Sequence, residues 1–296
     1  MKKAFLAFLI IFFFLFYALL GYLNYANFGI INNGQDFDFH YKRINDISDN
    51  RFYSPLYHLI FKPLAFNQFA FYLANIILIL AIVPLLIYLI SKRIESVIIF
   101  FFGIPLAHMA IFSFIFPQVL IMIYFLIYLL FRKNWLIFIF LTILASFTHS
   151  KGFYLFLTIL FLEIILIWLK NFKPNFKRFA VNGFSGVVFL IQDTFKLERL
   201  GFYLSVMLPI PLVYFYLRKF KINFYSGIFV ISIITAILSD IRVLWLAELI
   251  LCLSLGTTFK KMPQKLKIGF CLFLLANLAY FLIDYGLGTT FLIIKN

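Results

Sequence analysis

An all-α, multi-pass membrane protein is the fold class that this sequence predicts, and three observations predict it. Of 296 residues, 65% are hydrophobic and 12% charged, with 44 Phe, and the mean hydropathy is +1.04. A soluble domain carries roughly 25% charged residues, so soluble, disordered and secreted disulfide-framework chains are excluded. The apolar residues fall in runs close to the ~20 residues that a helix needs to cross hydrocarbon. The Lys and Arg residues cluster between those runs and alternate in density from one gap to the next, as the positive-inside rule requires. The net charge of +15 then reads as topology, and nucleic acid is not an expected partner.

The first run, 4–23, follows Lys2-Lys3. It is too long for a signal-peptide core and no small-x-small cleavage pattern follows it, so it reads as a retained first helix. Further runs lie at 68–90, 96–115, 117–131, 135–148, 153–169, 179–191, 201–217, 224–239, 243–259 and 268–283, about eleven spans in a single transmembrane domain over 1–296. The stretches 117–131, 135–148 and 179–191 are short and leave open whether they cross fully. With the N-terminus in the cytoplasm, Lys92/Arg93, Arg132/Lys133, Lys170/Lys173/Lys177/Arg178, Arg218/Lys219/Lys221 and Lys260/Lys261/Lys265/Lys267 all fall inside. Most of the 26 cations are thereby placed. The acids lean the other way: Asp36, Asp38, Asp46, Asp49, Asp193, Glu198, Asp240 and Asp284 fall outside or at the outer edge. Glu163 and Glu248 lie within spans, where an ionised carboxylate is costly. Cys252 and Cys271 are both in spans and build neither a disulfide nor a thiol metal site.

The outer loop 24–67 is the longest polar stretch, with four of the eleven acids and two of the four histidines. Asn33-Gly34 is a turn signal, and Gln35 to about Ile47 predicts a short interfacial amphipathic helix. Phe37, Tyr41, Ile44 and Ile47 recur at helical spacing and are expected to face the bilayer. Asp36, His40 and Arg43 stand at i, i+4 and i+7 and share a face; Asp38 and Lys42 form a second i, i+4 pair. Carboxylates beside a histidine suit general-base work, or hold a divalent cation, Mg or Mn, through oxygen ligands. The plainer alternative is a solvated helix with surface ion pairs worth almost nothing. His58 follows in an aromatic segment that could stack on a sugar or anchor at the interface. At other outer edges stand His149 and Lys151, within Thr148-His149-Ser150-Lys151, and Asp240 with Arg242. His108 lies in the outer half of its run.

A first helix, an outer loop with Asp36-Phe37-Asp38 and then Tyr-Ser-Pro-Leu-Tyr-His at 53–58 resemble the polytopic GT-C-type glycosyltransferases. The segments Thr148-His149-Ser150-Lys151-Gly152 and Ser239-Asp240-Ile241-Arg242 resemble later outer loops of that family. The resemblance implies sugar transfer from a polyprenyl-phosphate-linked donor to a glycan or lipid acceptor on the non-cytoplasmic face of the cell membrane. It implies Asp36 and Asp38 as the candidates for the catalytic base and Arg242 as a ligand of the lipid phosphate; His40, Arg43, His58, His149, Lys151 and Asp240, at the same outer face, are the further candidate substrate-binding residues. The EpsG- or Wzy-like polysaccharide polymerases share the same plan. A transporter of lipid-linked sugars or small solutes is the competing class. It would place its binding residues near the midplane on broken, repeated helices, and no such repeat is evident.

Overall fold

In the computed structural model the described residues are 2–28, 34–45, 54–104, 108, 111, 116–132, 134–171, 210–217, 223–238 and 244–281. They are almost wholly helical, with no strand among them, as the composition requires. The chain divides into two compact units, Met1–Phe156 with Cys252–Asn296, and Leu157–Leu251.

The first unit begins with α1 (Lys2–Phe28). Its protein-facing stripe is Leu6, Leu9, Phe13 and Tyr17, all buried, while Phe5, Phe8, Phe12, Leu15 and Leu19 are exposed on the opposite side. An apolar outer face of this kind is stable in lipid or under a partner and not in water. Gly21 lets the neighbouring helix approach, because a Cβ there would sit 2.2 Å from the Tyr72 ring. The Tyr72 hydroxyl donates to the Tyr17 carbonyl at 3.1 Å, tying the two helices.

After α2 (Gly34–Asn45) and α3 (Pro55–Phe61) comes α4 (Gln68–Ser91). Asn67 caps α4, its Oδ1 accepting from the Phe69 and Ala70 amides at 2.7 and 3.2 Å. A π-helical turn at Leu78–Ile82 precedes Pro84. Proline has no amide to give and its ring crowds the carbonyl four residues back, so the wider turn relieves the ladder there. Helix α5 (Ile94–Gly103) also ends in a π turn, and Ile104 is extended at φ −124° and ψ 145°. Pro105 disfavours helical backbone at the residue before it, so within the run 96–115 α5 stops at Gly103; His108 and Ile111 are again helical, and the rest of the run lies outside the described residues. Helices α6 (Phe116–Leu130) and α7 (Trp135–Thr148) pair as a hairpin, with Asn134 capping the second. The start of α8 (Ser150–Asn171), up to Phe156, the part of α11 (Leu244–Lys261) from Cys252 on, and α12 (Gln264–Phe281) complete this unit.

The second unit holds the rest of α8, α9 (Ile210–Leu217), α10 (Phe224–Leu238) and the first part of α11, up to Leu251. Asn223 and Ser226 cap α10 reciprocally: Asn223 Oδ1 accepts from the Ser226 amide at 3.0 Å, and Ser226 Oγ from the Asn223 amide at 2.9 Å. Gly227 gives way to Leu162 of α8, and the Tyr216 ring packs on Phe229 at 4.6 Å. On α11 every residue from Leu244 to Leu251 is buried, including Glu248. The Glu248 Oε1 has no hydrogen-bond partner, whereas Glu163 on α8 is half-buried.

Two helical stretches, Lys3–Ala26 and Gln68–Ser91, are long and apolar enough to cross a membrane, and shorter apolar helices include Pro117–Leu130, Trp135–Thr148 and Gly152–Ile167. The run 179–191 and the first part of 201–217 lie outside the described residues.

Candidate functional site

The outer loop folds back on the first unit as two short helices, and the reason is local. The apolar spacing of α2 puts Phe37 and Ile44 on one face, and both are buried. The Phe37 ring lies 5.5 Å from Phe71 of α4 and stacks on Tyr41 at 6.2 Å. That corrects the expectation that this face meets the bilayer: it meets protein, because Phe71 takes both the Phe37 and the Tyr41 rings.

Tyr57 anchors α3. Its ring packs on Phe61 at 4.8 Å and edge-on to His40 at 5.2 Å. Its hydroxyl donates to Asn75 Oδ1 at 2.8 Å, and the Asn75 amide in turn donates to the Phe71 carbonyl at 2.8 Å. This buried pair fixes α3 against α4 and so sets the direction of His58, the next residue. The sequence reading missed Asn75. The signal was there, since a lone Asn in an apolar run is expensive unless a partner answers it.

The result is a histidine pair. His40 Nδ1 and His58 Nε2 are 3.0 Å apart, one ring donating and the other accepting. His149 stands close enough for its charge to act on His40, and the Arg43 charge acts on both His40 and His58. Burial, then His58, His149 and Arg43, lowers His40 from the usual 6.5 to about 3. Burial and then Arg43 lower His58 to about 4. Both imidazoles are therefore neutral near neutral pH, each able to donate and to accept a hydrogen bond. The Arg43 guanidinium sits 5.0 Å over the Phe39 ring, which holds this long side chain in place.

His149 arrives from a hinge. It is the extended residue between α7 and α8, at φ −165° and ψ 141°. The Gly152 amide donates to the His149 carbonyl at 2.8 Å. A Cβ at Gly152 would lie 2.3 Å from the Ala145 carbonyl oxygen, so only glycine closes the hinge this tightly. Thr148, beside it, donates to the Leu144 carbonyl at 2.8 Å.

Ser54 precedes this group and carries two anomalies. Its backbone is left-handed at φ 56° and ψ 47°, and its buried hydroxyl has no hydrogen-bond partner. A non-glycine residue held there costs about 1–3 kcal/mol, and such strain gathers at functional sites. Neither feature is visible in the sequence.

The chain has no match among protein-family models, curated proteins or solved structures. The geometry therefore carries the functional reading.

Of the residues singled out by sequence, His40, Arg43, His58 and His149 come together. Asp36 and Asp38 belong to the first turns of α2, Asp36 one turn before His40, but their side chains lie outside the described residues. So does the side chain of Lys151, in the first turn of α8, and so do Asp240 and Arg242 altogether. Among the described residues, no group of three or more His, Cys, Asp or Glu is arranged to hold a metal ion. A hard cation such as Mg or Mn would look to the oxygens of Asp36 and Asp38. His108 is held elsewhere, in a network with Tyr17 of α1.

Proposed function

We propose that this protein is a multi-pass cell-membrane glycosyltransferase that moves a sugar from a polyprenyl-phosphate-linked donor to a glycan or lipid acceptor on the non-cytoplasmic face. The observation that carries the reading is the meeting of His40 and Arg43 with His58 and His149, from three separate segments, on the helix whose first turns hold Asp36 and Asp38. The outward apolar faces of α1 and α7 and the alternating cation clusters support about eleven spans with a cytoplasmic N-terminus.

In this mechanism Asp36 or Asp38 takes the proton from the acceptor hydroxyl. The hydroxyl oxygen attacks the anomeric carbon, and the bond from that carbon to the phosphate oxygen breaks. The lipid phosphate leaves with the electron pair, and Arg43 with the neutral histidines as donors answers its growing charge. Lys151 and Arg242 are further cations for that charge, and a divalent cation on the aspartates could share the task. A nucleotide-linked donor fits less well, because the acids face away from the cytoplasm, where such donors reside.

The test is transfer of labelled sugar from a polyprenyl-phosphate donor by the purified full-length protein. Asp36→Ala or Asp38→Ala is expected to abolish transfer while leaving membrane insertion intact. Normal transfer by both variants overturns the assignment. A polymerase would instead lengthen the acceptor by repeat units in the same assay, and a transporter would move the donor between leaflets without consuming it.

A further inference from the structure

The α6–α7 turn carries a shallow groove of about 640 Å³, open along most of its length. Its walls are Leu129, Leu130, Phe131, Trp135 and Leu136, and its polar members are Arg132 and Asn134. The polar members are donors. Arg132 brings a guanidinium, and Asn134 spends only Oδ1 on capping α7, which leaves its Nδ2 amide to face an acceptor. Apolar walls with cationic and amide donors select an amphiphile with an anionic head.

The groove does not end at the turn. Leu136, Ile139, Phe140, Ile143 and Phe147 are all exposed, by 79, 53, 59, 50 and 60%. They recur at helical spacing, so they form one apolar stripe along α7 that starts in the groove. From Leu136 to Phe147 the stripe runs roughly 17 Å at ~1.5 Å per residue. One leaflet of a hydrocarbon core of ~30 Å is about 15 Å deep. The stripe matches an acyl chain in length and chemistry, and the exposed indole of Trp135 stands where interfacial tryptophans sit.

We infer that this groove seats one anionic phospholipid of the cytoplasmic leaflet, its phosphodiester on Arg132 and Asn134 and one acyl chain along the α7 stripe. The inference rests on the membrane reading above and is independent of the transferase reading.

The experiment places the full-length protein in bilayer discs of equal phosphatidylglycerol and phosphatidylcholine and counts retained lipids by native mass spectrometry. The wild type is expected to retain phosphatidylglycerol over phosphatidylcholine by about fivefold, the scale of one cation near an anionic surface. Arg132→Gln should bring the two lipids near parity. Arg93→Gln, a cation in another cytoplasmic turn, should leave the preference unchanged. Equal retention by the wild type, which needs no variant, overturns the proposal. So does an unchanged preference in Arg132→Gln, or an equal loss in Arg93→Gln, which would mean diffuse attraction in place of a seat. Release of the chain from membranes by alkaline carbonate would remove the membrane reading with it. Loss of sugar transfer with lipid preference intact would count only against the transferase.

Discussion

His40 and His108 are both buried histidines in the first unit, and their surroundings are opposite. His108 is closed on both sides. Tyr17 donates to its Nδ1, and its Nε2–H donates to the Phe101 carbonyl at 2.9 Å. The Phe13 ring stacks on Phe101 at 4.5 Å beside it. This imidazole joins α1 to the end of α5, across 91 residues of sequence, and its tautomer is set. His40 instead faces a second histidine, a third near by and an arginine, and that second histidine, His58, stands one turn after a strained serine with an unanswered hydroxyl. Satisfied polar groups build a fold. Basic groups brought together out of water are each held from taking a proton, which the fold bears at a cost.

The sharpest break of that comparison is a swap of consequences. His58→Ala is expected to lower sugar transfer by about a hundredfold, the scale of one lost donor to a developing anion, with little change in thermal stability. His108→Ala should do the reverse, costing about 2–4 kcal/mol through the cavity and the stranded Tyr17 hydroxyl. Transfer and melting temperature measured on both proteins decide it, and parallel losses in the two would erase the distinction.

Gly152→Ala tests the hinge that delivers His149. The added Cβ meets backbone, not a mobile side chain, so about 1–3 kcal/mol of destabilisation is expected. Transfer should fall further than stability alone explains, which activity at a temperature well below the melt would reveal.

Acid should loosen the α2–α3 docking. His40 and His58 are lowered to about 3 and about 4, below the usual 6.5. The unfolded segment therefore takes up protons first as pH falls. The docking stability is complete above about pH 6.5 and declines toward about pH 3–4. Hydrogen exchange of the α2 and α3 amides, corrected for its chemical pH dependence, should show opening at pH 4.5 that is absent at pH 7. His40→Asn should flatten that dependence.

The smallest effect is Ser54→Gly. Glycine accepts φ 56° without penalty, so stability should rise by about 1 kcal/mol. Transfer should fall if the buried hydroxyl serves the site, and a silent, stabilised variant would reduce Ser54 to a strained cap.

Much of this was legible in the residues. Asn33-Gly34 and the spacing of Phe37, His40, Tyr41 and Ile44 place α2 almost to its ends, because an i to i−4 ladder is settled by a dozen neighbouring residues. Composition alone sets the all-helical class, since apolar runs of this length close their backbone hydrogen bonds within themselves. What covers each face was not legible. The same α2 pattern fits lipid or an aromatic bed, and only the arrival of Phe71 against Phe37 and Tyr41 decides for protein. His149 was one polar residue at the end of a run until the α7–α8 hinge brought it to His40. His108 and His40 are indistinguishable as letters. Their difference lies in partners supplied by distant helices, and that pairing is fixed by close packing across the whole unit, which no local pattern of residues contains.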